Sequence, residues 1–207
     1  MKKHKLLLLL IALLGFFIGQ LSPGEKIDFL AAKLSNRSTS MFQSGVKNGS
    51  WKTFLGIAEN DQPALVRSLI ARIGLGANTN KEAMYLNTRE DINGEILTSG
   101  RNYKITIPAE MPVHEFWSLT VYGDDHFLCE NKADKYAIAS FHNLLKNPDG
   151  TVTIYLGQNE IKPKSNWLPS SIKEEPISLT LRCYNPTLKM LSHIKSISLP
   201  VIEPLEL

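Results

Sequence analysis

From Phe116 to Tyr122 the side chains alternate: Phe116, Ser118, Thr120 and Tyr122 point one way, and Trp117, Leu119 and Val121 point the other. A period of two in a run rich in aromatic and β-branched residues is a strand with one face on a core. The chain must therefore supply a sheet and something to cover it. Gly123-Asp124-Asp125 has turn chemistry, because glycine tolerates positive φ and aspartate bonds its own backbone. His126 to Glu130 reads as a returning strand, so Glu115 to Asn131 is a predicted hairpin. A hairpin alone is marginal in water and needs further strands.

The chain after residue 83 supplies them. Met84 to Asn87 is short and apolar, and Asn93-Gly94 is a hairpin turn signal inside a longer loop. Tyr103, Ile105 and Ile107 alternate with Lys104 and Thr106 until Pro108. Tyr136 to Phe141 alternates again. Asn147-Pro148-Asp149-Gly150 is a turn, followed by a strand with Val152, Ile154 and Leu156 inward. Gln158 to Ser171 is polar and reads as a loop holding Asn166-Trp167-Leu168-Pro169. Ile177, Leu179, Leu181 and Cys183 line one face of the last long strand, and Ser178, Thr180, Arg182 and Tyr184 the other. Asn185-Pro186 should cap a short helix, Thr187 to His193, and Pro200 and Pro204 punctuate the tail. Short strands with regular turn signals predict a mainly β fold, an antiparallel jelly roll or β-sandwich.

The N-terminal part differs. Lys2, Lys3 and Lys5 precede an uncharged run from Leu6 to Gly19, the layout of a secretory signal. Fourteen residues fall short of the roughly 17–25 that a spanning helix takes, yet the exit lacks a small-x-small cleavage site. The expectation is an uncleaved signal-anchor, with a cleaved signal as the alternative. No cysteine follows for a lipid anchor. The basic flank stays cytoplasmic by the positive-inside tendency. On this layout the chain is anchored in the membrane as a single-pass protein and the remainder is exported.

Glu25 to Leu34 can continue as a short helix. Ser35 to Ser50 reads as a stalk, and Trp51 to Leu55 is an aromatic patch able to dock on the domain. Asp61 and Pro63 fit a helix start, with Leu65, Leu69 and Ile73 as its apolar stripe and Gly74 as its end. The expected boundaries are a signal or anchor over 1–23, a stalk over 24–60, a helical lead-in over 61–82 and a β domain over 83–207. After the leader, basic and acidic residues balance at 20 each. No basic face is left for a nucleic acid.

Several motifs in order then resemble one family. Phe116-Trp117-Ser118-Leu119-Thr120-x-Tyr122, Phe127-Leu128-x-Glu130-Asn131 and Tyr136-x-Ile138 are similar to the core of DUF1214. So are Asp149-Gly150-Thr151-Val152-Thr153-Ile154-Tyr155, Asn166-Trp167-Leu168-Pro169 and Leu179-Thr180-Leu181-Arg182-x-Tyr184-x-Pro186. The resemblance spans about Ala83 to Leu191. It implies a β jelly roll of a short, membrane-anchored bacterial subtype, without room for the DUF1254 domain that often lies upstream, and it supplies no reaction. The chain departs from the family pattern at Gly123, where Asp is frequent, at Lys135, where Arg is usual, and at Ala137, a frequent Ser. Cys129 and Cys183 stand at usually apolar positions.

Arg182, Tyr184, Asn131, Tyr136, Asn166 and Trp167 fall at strand ends and loops and are the candidate ligand-binding residues. An arginine on a sheet face needs partners when buried. In one reading Arg182 holds a carboxylate or sulfate, Trp167 stacks a sugar ring and Asn131 orients it. In the other, Arg182 is tied to Glu130 or Asp125 and Asn166 holds its own loop.

Asp124, Asp125 and Glu130 could work as acid and base, but Asp-Asp after Gly is ordinary turn chemistry. His126 and His142 could converge on a metal, although no histidine pair has zinc-motif spacing. Cys129 and Cys183 both fall on expected strands, where a disulfide and simple packing are open. Asn36 and Asn48 begin N-x-S patterns. There is no Gly-rich phosphate loop, GxSxG or HExxH. The expectation is a cofactor-free, non-catalytic binding or accessory module for a glycan or another envelope component. The alternatives are a hydrolase or isomerase of a polar small molecule at the Arg182, Tyr184 and Asn131 face, and a self-associating structural protein.

Overall fold

A computed structural model describes residues 45–56, 76–161 and 165–206, with Ala58 and Ile70. The expected leader, the helix after Glu25, most of the stalk and almost all of the helix after Asp61 lie outside the described residues. Among the described residues no helix is long and apolar enough to cross a membrane. The β unit comprises residues 45–59 and 77–207.

The unit is a sandwich of two sheets. Its strands are β1 (Val46–Asn48), β2 (Trp51–Thr53), β3 (Ala83–Thr88), β4 (Asn102–Ile107), β5 (Trp117–Tyr122), β6 (Ala137–Ala139), β7 (Val152–Gly157), β8 (Asn166–Pro169), β9 (Ser178–Tyr184) and β10 (Val201–Leu205). One sheet has the order β1-β2-β3-β9-β5-β6, the other β10-β4-β7-β8. All neighbours are antiparallel except β7 and β8.

The alternation read from the sequence decides which side chains meet. Leu86, Leu181, Leu119 and Ile138 form one cross-strand row on the inner face of the first sheet. Ile202, Ile105 and Ile154 form a row on the second. Both rows belong to one buried core with Trp51, Trp117, Tyr103 and Leu168. Each large aliphatic side chain so buried contributes about 1.5–3 kcal/mol.

Several expectations need correction. His126 to Glu130 is not a strand. Gly123 N–H donates to the Phe127 carbonyl, Asp125 Oδ1 accepts from Phe127 N at 2.9 Å, and His126 takes φ +67°. These bonds turn the chain out of the sheet, and Phe127 and Leu128 end exposed. The open edge of β5 is taken by β6 instead. Residues expected in the stalk form the β1–β2 hairpin, with Gly49 at φ +60° in its turn. Trp51 is buried, and its Nε1 donates to the Pro200 carbonyl at 2.6 Å.

The Asn166–Pro169 stretch is a strand rather than a loop, and so is the proline-marked tail. Pro204 is accommodated because β10 is an edge strand. The short helix, α1 (Leu188–Ser192), is capped by Thr187, whose side chain accepts from Met190 N, and not by Asn185. The turn at 147–150 forms as expected, with Gly150 at φ +83° and Asn147 N donating to the Thr151 carbonyl.

Candidate functional site

Antiparallel sheets can present one face to solvent, and the outer face of the six-stranded sheet carries the polar halves of the alternating strands. Register sets their order. Asn87, Thr180, Thr120 and Ala137 make one row. Tyr85, Arg182, Ser118 and Ala139 make the next. Tyr184 follows one step further along β9, where its N–H donates to the Phe116 carbonyl.

Arg182 is half-buried on this face. Its Nη1 donates to Thr120 Oγ1 at 2.8 Å and its Nη2 to Tyr122 Oη at 2.5 Å. The guanidinium carbon lies 5.7 Å from the centre of the Tyr122 ring, within the range of a cation–π contact. Neither Glu130 nor Asp125 pairs with it. Among the described residues the ion pairs are Lys47–Glu90, Arg89–Asp124 and Lys104–Glu203, so Arg182 meets neutral hydroxyls only. An arginine carries five N–H donors, and two of them are engaged here. At the other end of the face Phe116 stacks on Tyr184 at 4.3 Å between centroids. Phe141 meets Phe116 edge-on at 5.1 Å.

The six sequence candidates fall into two groups. Arg182 and Tyr184 share the outer face just described. Asn131, Tyr136, Asn166 and Trp167 gather around the 131–136 loop and β8 of the other sheet. Asn131 is buried and saturated: its Oδ1 accepts from Ala133 N and Lys135 N, and its Nδ2 donates to the Cys129 and Lys135 carbonyls.

Asn166 is equally committed, accepting from Leu145 N and donating to the carbonyls of Leu145 and Thr153. Trp167 is partly exposed, and its Nε1 donates to the Gly157 carbonyl at 3.0 Å. Tyr136 Oη reaches Asp134 at 3.4 Å. Lys135 Nζ donates to the Trp167 carbonyl and ties loop to strand. Burial there pushes its ammonium below the usual lysine range. Asn166 thus holds not its own loop, as one of the two readings had it, but the segment at Leu145 and the neighbouring strand β7. The sugar-stacking arrangement of Trp167 beside Arg182 does not occur, because β8 belongs to the opposite sheet.

The other candidates have plain structural roles. Asp124 pairs with Arg89, and Asp125 closes its own turn. His126 and His142 are exposed; His142 Nδ1 accepts from Ala139 N at 3.3 Å. Among the described residues no three His, Cys, Asp or Glu groups could hold a metal. Cys129 and Cys183 are free and buried, and Cys129 lies in the loop rather than on a strand. Burial pushes the Cys183 thiol up to about 12 and raises Cys129 as well. Both are therefore packed, unreactive thiols. Asn48 Nδ2 donates to the Ile194 and Ile197 carbonyls at 2.8 Å each, so its amide is occupied in the fold. A surface cleft of about 370 Å³ lined by Thr98, Gly100, Arg101, Glu174, Glu175 and Pro176 contains none of the six candidates.

Sequence reasoning missed Thr120, Tyr122, Phe116 and Phe141 as neighbours of Arg182 and Tyr184. The alternation had placed three of them on one face of β5. What it lacked was the pairing of β5 with β9, 60 residues away.

Residues 82–188, just over half of the chain, match the DUF1214 family, described as a protein of unknown function. The chain belongs to the DUF1214 family. Its fold is similar to the crystal structure of the VPA0106 protein from Vibrio parahaemolyticus, with a TM-score of 0.60 and 23% identity, over 90% of this chain and 47% of that one. An uncharacterised protein from Burkholderia cenocepacia aligns with a TM-score of 0.42 and 14% identity, over 89% of this chain and 43% of that one. This DUF1214 chain spans about half the length of both. A search of curated proteins gives no match.

Proposed function

We propose that the DUF1214 domain of this protein is a non-catalytic binding module of the bacterial envelope that takes an anionic ligand at Arg182. In this reading the uncharged run from Leu6 to Gly19 anchors the chain in the inner membrane. Short helices lead to a jelly roll in the periplasm, and the ligand is a glycan or another envelope component. The observation that carries the reading is the guanidinium of Arg182. It sits on an outward face, oriented by two neutral hydroxyls, without a carboxylate partner among the described residues. A cation so held keeps its charge and three N–H donors for an incoming anion, and carboxylates and sulfates match that fork.

The test is thermal unfolding of the full chain in detergent micelles with organic acids, sulfate and acidic or neutral sugars. A ligand at about 100 times its Kd stabilises the native state by about 2.7 kcal/mol. Acidic compounds should raise the melting temperature of the wild type and leave Arg182→Gln unmoved. Equal stabilisation of both proteins, or a response to neutral sugars alone, contradicts the reading.

A further inference from the structure

The Arg182 guanidinium and the cluster of Phe116, Phe141 and Tyr184 lie toward opposite ends of the outer face of β5. Arg182 stands across from Ser118. Its guanidinium reaches along β5 toward Thr120 and Tyr122, away from the end where Phe116 and Tyr184 stack. Phe116 and Thr120 are four residues apart, about 13 Å at ~3.3 Å per residue. Small, part-exposed Ser118 lies between these ends, and part-exposed Ala137 stands beside Thr120 on the same face.

Phe116, Phe141 and Tyr184 form a contiguous aromatic surface, none of the three is buried, and Phe141 is 66% exposed. The hydroxyl of part-exposed Ser118 lies on the strip, whereas those of Tyr122 and buried Thr120 hold Arg182. We infer that the occupant is an acidic oligosaccharide of at least two rings, lying along β5 with a ring on Phe116, Phe141 and Tyr184 and a uronate carboxylate on Arg182.

Three features select this class. Aromatic faces present flat apolar surface to the C–H face of a sugar ring. The part-exposed Ser118 hydroxyl between the two anchors suits a ligand rich in hydroxyls rather than an aliphatic acid. The separation of the two anchors exceeds one pyranose ring, and an open sheet face accommodates a polymer better than a small molecule that must be enclosed. The stacking role expected of Trp167 thus falls to Phe116, Phe141 and Tyr184. This inference rests on the anion reading of Arg182, and the two can fail separately.

The experiment is titration calorimetry of the full chain in micelles with galacturonate, trigalacturonate and maltotriose. Trigalacturonate should bind at least tenfold more tightly than the monomer, and maltotriose at least tenfold more weakly than trigalacturonate. Arg182→Gln should abolish binding of both acidic ligands. Phe141→Ser, which removes an exposed ring, should reduce trigalacturonate to the affinity of the monomer without changing the monomer's own. Equal affinities for monomer and trimer overturn the two-anchor inference and leave the Arg182 site standing. No binding of either acidic ligand overturns the acidic-oligosaccharide class. Equal binding of maltotriose removes the role of the carboxylate and with it both readings.

Discussion

The Arg182 guanidinium donates to the Thr120 hydroxyl at 2.8 Å, from β9 to its neighbour β5. The contact orients a charge without neutralising it. Removing a partner from a buried ion pair strands the other charge and is strongly destabilising. Here no such charge is left behind. Arg182→Gln should therefore cost about 1 kcal/mol or less, measured by urea unfolding. A loss of several kcal/mol would mean that the arginine is a structural pillar.

Asn166 should behave in the opposite way. Its amide pairs with both backbone groups of Leu145 as a peptide unit would, and also reaches the Thr153 carbonyl. Asn166→Ala leaves these groups unpaired next to the core, at a cost of about 2–4 kcal/mol. The same denaturation experiment reads it, and amide exchange at Leu145 should accelerate.

Trp51 tests the place of the β1–β2 hairpin. Trp51→Phe loses the bond to the Pro200 carbonyl and should cost about 1–2 kcal/mol. Trp51→Ala adds a cavity and should cost about 3–5 kcal/mol. A hairpin that merely rested on the domain would show neither loss.

Cys183 gives a pH dependence. Burial raises its thiol from the ordinary 9.0 to about 12 in the folded state. Below pH 9 the thiol is protonated whether folded or not, and its contribution is fully present. Between pH 9 and about 12 the unfolded chain releases a proton that the folded chain retains. Stability from this group is then lost as pH rises, with a slope approaching one proton. Cys183→Val should remove that part of the alkaline slope. In the native protein at pH 8 neither thiol should react with a disulfide reagent on the timescale on which the urea-unfolded chain reacts.

Much of the fold was legible because period-two alternation is a local property. The inner and outer faces of β4, β5, β7 and β9 follow directly from it. The short edge strands were not. β8 is four residues long within a polar stretch, and β10 contains Pro204, both signs that ordinarily argue against a strand. The β1–β2 hairpin did leave a signal in Gly49-Ser50, the two-residue turn between paired Asn48 and Trp51, which was read only as part of an N-x-S pattern.

His126 to Glu130 alternates well enough for a strand, yet local turn bonds to Asp125 and Gly123 remove it from the sheet. Of the candidate residues, sequence reading placed Arg182 and Tyr184 together on one face of β9, where the structure has them. It grouped them with Asn131, Asn166 and Trp167 because motif order says nothing about which sheet a strand joins.

The most direct test of the binding site is amide and side-chain NMR of the full chain in micelles during titration with trigalacturonate. The resonances of Ser118, Thr120, Tyr122, Arg182 and Tyr184 should shift together and saturate with one affinity, while the Trp167 indole N–H stays in place. Shifts centred on Trp167 and Asn131, with the outer face of β5 and β9 unmoved, would contradict the account.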